Sequence, residues 1–156
     1  MEKIAVFPGS FDPVTIGHVD IINRGLPLFD KLIIGIGINS QKKYLFPLDK
    51  RIEWLKKIYE FEKRISVESY TGLTVQFCEK IGAQFILRGI RSAGDFEFEK
   101  AVSQTNRVLS RNIETIFILA NPSLSVVSSS IVRDVIMNGG DVKPFVPEEV
   151  EAMVHL

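Results

Sequence analysis

The segment Gly9 to His18, GSFDPVTIGH, constrains this chain more than any other. It follows the apolar run Ile4-Ala5-Val6-Phe7 and precedes an amphipathic stretch, so it reads as a strand-to-helix turn. At the carboxyl edge of a parallel sheet such a turn aims a helix N-terminus and its unpaired N–H groups at whatever lies above the sheet, and the preferred guest is an anion such as phosphate. Gly17 lets an anion approach the backbone with no Cβ in the way, and His18 offers a ring N–H donor beside it. Ser10, Asp12 and Thr15 equally suit a plain tight connection with a capped helix, so this element alone leaves both readings open.

The pattern along the chain supplies the sheet. Lys3 to Phe7, Lys31 to Ile38, Ile65 to Ser69, Phe85 to Arg88 and Thr115 to Leu119 are rich in β-branched or aromatic residues and read as strands. Between them apolar residues recur at helical spacing: Val19, Ile22, Leu26 and Phe29; Leu48, Ile52, Leu55 and Tyr59; Phe98, Val102, Thr105 and Leu109; Ile131, Val132, Val135 and Ile136. Strand followed by helix, repeated five times, predicts an α/β fold: one five-stranded parallel sheet with helices on both faces, in a single domain over residues 1–156. Ligands of such sheets bind above the carboxyl ends of the strands, where strand order reverses. The segments expected there are Pro8 to Gly17, Asn39 to Pro47, Tyr70 to Gly72, Gly89 to Gly94 and Ala120 to Ser130, and their donors and cations describe a pocket for a polyphosphate.

Charge and composition remove several classes of function. Nineteen basic residues balance nineteen acidic ones, which leaves no overall footprint for nucleic acid or an anionic membrane. The imbalance is local: Gln41 to Arg64 holds eight Lys/Arg against four Asp/Glu and reads as a solvated helix face plus loop lysines, while Asp134, Asp141, Glu148, Glu149 and Glu151 make the C-terminal end acidic. No apolar run approaches the ~20 residues that span a bilayer, and no leader pattern opens the chain, so the expected location is the cytoplasm. Cys78, the one cysteine, lies among Val75, Phe77 and Ile81 and is expected to be a core thiol. His18 and His155 are too few for a histidine metal cluster, so no residue is assigned to a metal and any ion should be a hard cation held by carboxylates and substrate phosphates.

Three further segments add to the Gly-His turn. Arg88-Gly89-Ile90-Arg91 closes the fourth strand with two guanidinium forks that suit a double phosphate clamp, or that simply meet Asp95, Glu97 or Glu99. Lys42 and Lys43 follow the second strand as loop cations, one of them a plain surface lysine. Val127-Ser128-Ser129-Ser130-Ile131-Val132-Arg133 opens the last long helix with three serines where a cap needs one. Neither G-x-x-x-x-G-K-[ST] nor a helix-opening G-x-G-x-x-G occurs, which argues against P-loop and dinucleotide-binding chemistry. A site rich in phosphate donors and poor in bases fits attack by an already ionised phosphate on the α-phosphorus of a nucleoside triphosphate.

Through PGSFDPVTIGH, the Lys42-Lys43 loop, ILRGIR, DFEFE, Asn106-Arg107 and VSSS, the chain resembles the bacterial phosphopantetheine adenylyltransferases from Lys3 to about Pro147. The resemblance implies a Rossmann-like nucleotidyltransferase fold and transfer of AMP from ATP to 4′-phosphopantetheine, giving dephospho-coenzyme A and pyrophosphate, with Mg²⁺. It implies that His18, Lys42 and Arg91 act on the reacting phosphates. ATP would meet Ser10, Phe11, His18, Gly89, Ile90, Arg91, Glu99 and the run Leu124, Ser125, Val126, Val127, Ser128, Ser129, Ser130. Phosphopantetheine would meet Ser10, Lys42, Thr74 and Arg88. It further implies a homohexamer, with feedback inhibition by coenzyme A. Leu124 and Val126 stand where the family often has aromatic residues, and Val127 where isoleucine is usual, so departures from the pattern fall on contacts to the base. Two other readings remain: a sister nucleotidyltransferase using CTP or nicotinamide mononucleotide, and a non-catalytic module that binds adenine nucleotide or coenzyme A.

Overall fold

The computed structural model describes residues 1–154; His155 lies outside the described residues. Five parallel strands form one sheet: β1 (Ile4–Gly9), β2 (Lys31–Ile38), β3 (Ile65–Thr71), β4 (Phe85–Ile90) and β5 (Glu114–Leu119), in the order β3-β2-β1-β4-β5. The helices are α1 (Ile16–Gly25), α2 (Leu48–Ile58), α3 (Thr74–Ile81), α4 (Ala93–Leu109), α5 (Ser129–Met137) and α6 (Glu148–Val154). All five expected strands are present, and β1 and β4 each run two residues further toward the site than their side chains suggest.

The central strands are apolar on both faces because both faces are covered. Ala5, Phe7, Leu32, Ile34, Ile36 and Leu87 pack with α1, α2, α5 and α6, while Val6, Ile33 and Ile86 face the other way onto Val75, Phe77 and Cys78 of α3. Cys78 is fully buried and burial pushes its thiol up to about 12, so it is the inert core residue expected. Among the described residues no helix is long and apolar enough to cross a membrane.

One expectation changes. The apolar stripe of α4 is not core: Phe98 is 68% and Leu109 53% exposed, and Glu99 is the buried residue of this helix. The acidic C-terminal end forms a helix, and Val146 and Val150 seat it among Trp54 and Leu55, so α6 packs on α2.

Strand order reverses at β1, which pairs with β2 on one side and β4 on the other. The cleft opens there, between the ends of β1 and β4.

Candidate active site

Phe11 forms the floor of the cleft. It leaves β1 in the left-handed region (φ 49°) and its ring is buried. That ring lies over Gly9, where a Cβ would stand 3.1 Å from it, and tilts against the His18 imidazole with centroids 4.9 Å apart. The turn thus spends a glycine and a strained residue on fixing one aromatic support for His18.

His18 is the third residue of α1, and Thr15 is its N-cap. The backbone N–H of Thr15 donates to His18 Nδ1 at 3.0 Å, so the imidazole fills the place a glutamate or glutamine takes in a capping box. A backbone N–H can only donate, so Nδ1 must accept and the neutral ring carries its proton on Nε2. Burial, then the charges of Arg88 and Arg91, lower the His18 pKa to about 4. The ring is therefore neutral at physiological pH, with Nε2–H as its one donor.

The two arginines at the end of β4 are already partnered. Arg88 grips Glu99 through Nη2 and Nε at 2.5 and 2.9 Å and donates from Nη1 to the Pro8 carbonyl at 2.7 Å. Those bonds use three of its five N–H groups and fix the plane of the fork, leaving two for a ligand. Arg91 pairs with Asp95 (3.3 Å) and reaches the Val127 carbonyl at 3.3 Å. The carboxylate partners expected from the sequence are therefore present, and they fix both guanidinium planes without using every N–H. Glu99 faces Arg88 from within the cleft wall, a holder of that arginine as well as a lining residue.

Each serine of the run at α5 has its own task. Ser128 caps the helix by accepting from the Ile131 N–H (3.2 Å), Ser129 donates to the Pro13 carbonyl (2.8 Å), and Ser130 accepts from Arg133 (3.2 Å). This ties the start of α5 across to the turn before α1, so two helix N-termini meet in one cleft. Lys42 reaches in from the loop after β2, with Nζ 3.4 Å from Ser10 Oγ. Lys43 is exposed and does not line the cleft.

The structure gathers Ser10, Phe11, His18, Lys42, Arg88, Gly89, Arg91, Glu99, Leu124, Val127, Ser128, Ser129 and Ser130 around a cleft of about 390 Å³. Ile90, Ser125 and Val126 do not line it. Ile90 is buried and its carbonyl accepts from the Ala120 N–H; the Ser125 hydroxyl turns to Pro122; Val126 is exposed. Gly89 has a packing reason of its own, since a Cβ there would come within 2.9 Å of Ile21 Cγ1 on α1. A second cavity continues from Ser10 and Arg88 toward α3 and α4, and there Thr74 bonds the Tyr70 hydroxyl at 2.8 Å, with Phe98 and Asn106 opposite.

Sequence reasoning passed over two residues that support the cleft from behind, Asp12 and Arg51, each 2% exposed. Asp12 resembled an ordinary turn residue and nothing in its neighbourhood marks it otherwise. Arg51 was visible in principle, because it lies three residues after Leu48 and four before Leu55 on the apolar stripe of α2.

Comparison with known proteins agrees with this geometry. A cytidylyltransferase-like family model matches residues 6–135. The chain is 59% identical over 146 residues to a phosphopantetheine adenylyltransferase of Flavobacterium psychrophilum, covering 94% of this chain and 96% of that one. It is 53% identical over 146 residues to the enzyme of the same name from Flavobacterium johnsoniae (94% and 95%) and 47% identical over 147 residues to that of Bacteroides fragilis (94% and 97%). A solved structure described as a nicotinate-nucleotide adenylyltransferase from Vibrio parahaemolyticus superposes with a TM-score of 0.76 over all of both chains at 18% identity, a likeness of fold alone.

Proposed function

The chain belongs to the phosphopantetheine adenylyltransferases, and on that premise we propose how its cleft moves AMP from ATP to 4′-phosphopantetheine. A phosphate oxygen of phosphopantetheine attacks the α-phosphorus in line as the bond to pyrophosphate breaks, giving dephospho-coenzyme A and pyrophosphate with no covalent enzyme intermediate. The nucleophile arrives ionised, so the chain needs no general base and supplies position and charge.

The observation that carries this reading is the fixed tautomer of His18: Nδ1 is committed to the Thr15 N–H, so Nε2–H faces a ligand as a donor and not as a base. Nε2–H stabilises the α-phosphoryl oxygens, and Lys42 beside Ser10 neutralises charge where the acceptor phosphate and the α-phosphate meet. Arg91 and the first turn of α5 take the outgoing pyrophosphate, and Arg88, oriented by Glu99, holds the phosphate of phosphopantetheine. The pantetheine arm follows the second cavity past Thr74.

Mg²⁺ belongs to the proposal as an ion brought by the triphosphate. Among the described residues no group of carboxylates or histidines suits a metal, and the Asp95 and Glu99 carboxylates of the cleft are taken by arginines, so no residue here is assigned to it. Coenzyme A, which carries both a pantetheine arm and an adenine nucleotide, is the expected inhibitor of the same cleft. The homohexamer and a cytoplasmic location complete the reading.

Pyrophosphate release measured with ATP and CTP against phosphopantetheine and nicotinamide mononucleotide tests it. Turnover is expected with ATP and phosphopantetheine; activity with CTP alone, or with nicotinamide mononucleotide alone, would replace the substrate assignment, and nucleotide binding without turnover would leave a binding module.

A further inference from the structure

Two loops bring Ser10 and Lys42 together, and the residues that tie those loops lie behind the cleft. Arg51 of α2 donates from Nη1 to the Ser10 carbonyl at 2.7 Å and from Nε to the Phe46 carbonyl at 3.1 Å. Its guanidinium lies 4.2 Å from the centre of the Tyr44 ring, and Lys42 Nζ lies 5.7 Å from that same centre. Asp12 works from the other loop, its two carboxylate oxygens accepting from the Leu45 and Phe46 N–H groups at 2.8 Å each. Arg133 donates to the Asp12 carbonyl at 2.7 Å and joins this assembly to α5.

We propose that Arg51 and Asp12 are positioning residues for the transfer, which act through Lys42 by holding its loop against the Ser10 end of the cleft. The inference rests on the substrate reading above. Lys42 is an exposed lysine with four rotatable bonds, and ordering such a side chain on a free loop costs about 1.5–2 kcal/mol before any backbone is fixed. A charge stabiliser accelerates a reaction only if it is in place beforehand. Arg51 and Asp12 make their bonds to the loop flanks at Ser10, Leu45 and Phe46, so the backbone on both sides of the Lys42–Ser10 contact is fixed from inside the protein. A guanidinium fork is suited to this because its separate nitrogens reach two carbonyls while its plane lies against an aromatic ring, a spacing that the single nitrogen of an ammonium does not reproduce. Fold stability is a weaker account of the pair, since a buried charge seldom stabilises a fold better than an apolar side chain would.

A double-mutant cycle between Arg51→Lys and Lys42→Ala separates the two. Arg51→Lys should lower kcat by about tenfold or more while changing the KM for ATP less than about threefold, and in the Lys42→Ala background the same substitution should cost less than about twofold. Equal losses in both backgrounds would overturn the proposal, because a merely structural defect multiplies with the loss of Lys42. If Arg51→Lys does not fold, Tyr44→Leu, at a half-buried position of the same loop, should show the same non-additivity with Lys42→Ala. Hydrogen exchange provides a readout without turnover: the Leu45 and Phe46 amides should exchange about tenfold or more faster in Asp12→Asn with the strand amides unchanged, and unchanged exchange at both would also overturn the proposal. Failure of the unmodified chain to use ATP and phosphopantetheine would instead overturn the substrate reading, and the amide exchange would still decide this one.

Discussion

At the scale of single residues, His18 shows how a turn fixes the tautomer and charge of one ring at a cleft. A helix N-terminus by itself disfavours an imidazolium; here the neutral ring has burial as its main cause, then the charges of Arg88 and Arg91. His18→Ala should lower kcat by about 10²-fold or more while ATP affinity, read by calorimetry, falls far less. A kcat within about threefold of the parent would return Gly17-His18 to a turn that merely starts a helix. The pH dependence has a definite sign. The folded ring, at about 4, holds a proton less tightly than an ordinary histidine at 6.5, so between those values the unfolded state binds more protons. Its contribution to stability is full above about pH 6.5 and is lost as the pH falls toward 4. Thermal melts across that window should show a fall in Tm for the parent that His18→Ala lacks, and kcat should show no inflection near pH 6.5 from this ring. Arg88→Ala should act chiefly on phosphopantetheine, raising its KM well beyond any change in that for ATP. That His18, Arg88 and Arg91 meet in one cleft was legible because T-x-G-H and R-G-I-R are contiguous, the one following a strand and the other closing one. Asp12 was not, because the Leu45 and Phe46 N–H groups its carboxylate accepts from are 33 and 34 residues away; Arg51 showed as a cation on an apolar stripe, but not its bond to the Ser10 carbonyl 41 residues away.

At the scale of elements, the β-strands were legible in their apolar centres and lost at their carboxyl ends. β1 continues through Pro8 and Gly9, opposite Gly35 and Ile36, and β4 through Gly89 and Ile90, opposite Ile118 and Leu119. A parallel ladder needs only backbone groups there, whereas proline and glycine in a sequence signal a turn. Helix α6 went unread for a related reason. Its acidic first turn suggests a solvated end, while Val146, Val150 and Val154, four residues apart, supply an apolar edge that docks on the core. The same close packing sets the position of α1. Its Ile21 sits against the bare Cα of Gly89, so Gly89→Ala drives a Cβ into Ile21 Cγ1, and either that side chain or the helix carrying it must shift. The expected cost is about 1–3 kcal/mol in chemical denaturation, typical of an overpacked core, with kcat reduced as well because His18 rides on that helix. Unchanged stability with lower ATP affinity would show instead that Gly89 is kept for the ligand.

At the scale of the whole molecule, the apolar stripe of α4 is a surface that a lone chain leaves wet. Phe98, Val102, Thr105 and Leu109 recur at helical spacing, which reads as a core face, yet among the described residues no element covers them, and Val108 at 82% and Leu119 of β5 at 71% are exposed as well. Periodicity reports that a face is to be covered and cannot report which chain covers it. An exposed apolar stripe on a small protein marks a contact surface, and a second copy of this chain suits it because the net charge of the chain is zero and like copies do not repel. The valines of α6 dock on α2 of the same chain while Glu148 stays exposed, and the apolar residues left uncovered lie on α4, so assembly should run through α4. Light scattering should find the parent chain as a homo-oligomer, and Val108→Asp, at a position that lines neither cavity, should shift it to smaller species with the thermal stability of the monomer fold retained. Because Phe98 and Val102 lie both on this stripe and in the wall of the second cavity, the smaller species should bind phosphopantetheine less tightly and ATP about as before. A monomeric parent would remove the assembly from the reading of this chain, and an unshifted Val108→Asp oligomer would move its interface off α4, while neither result touches the chemistry at His18.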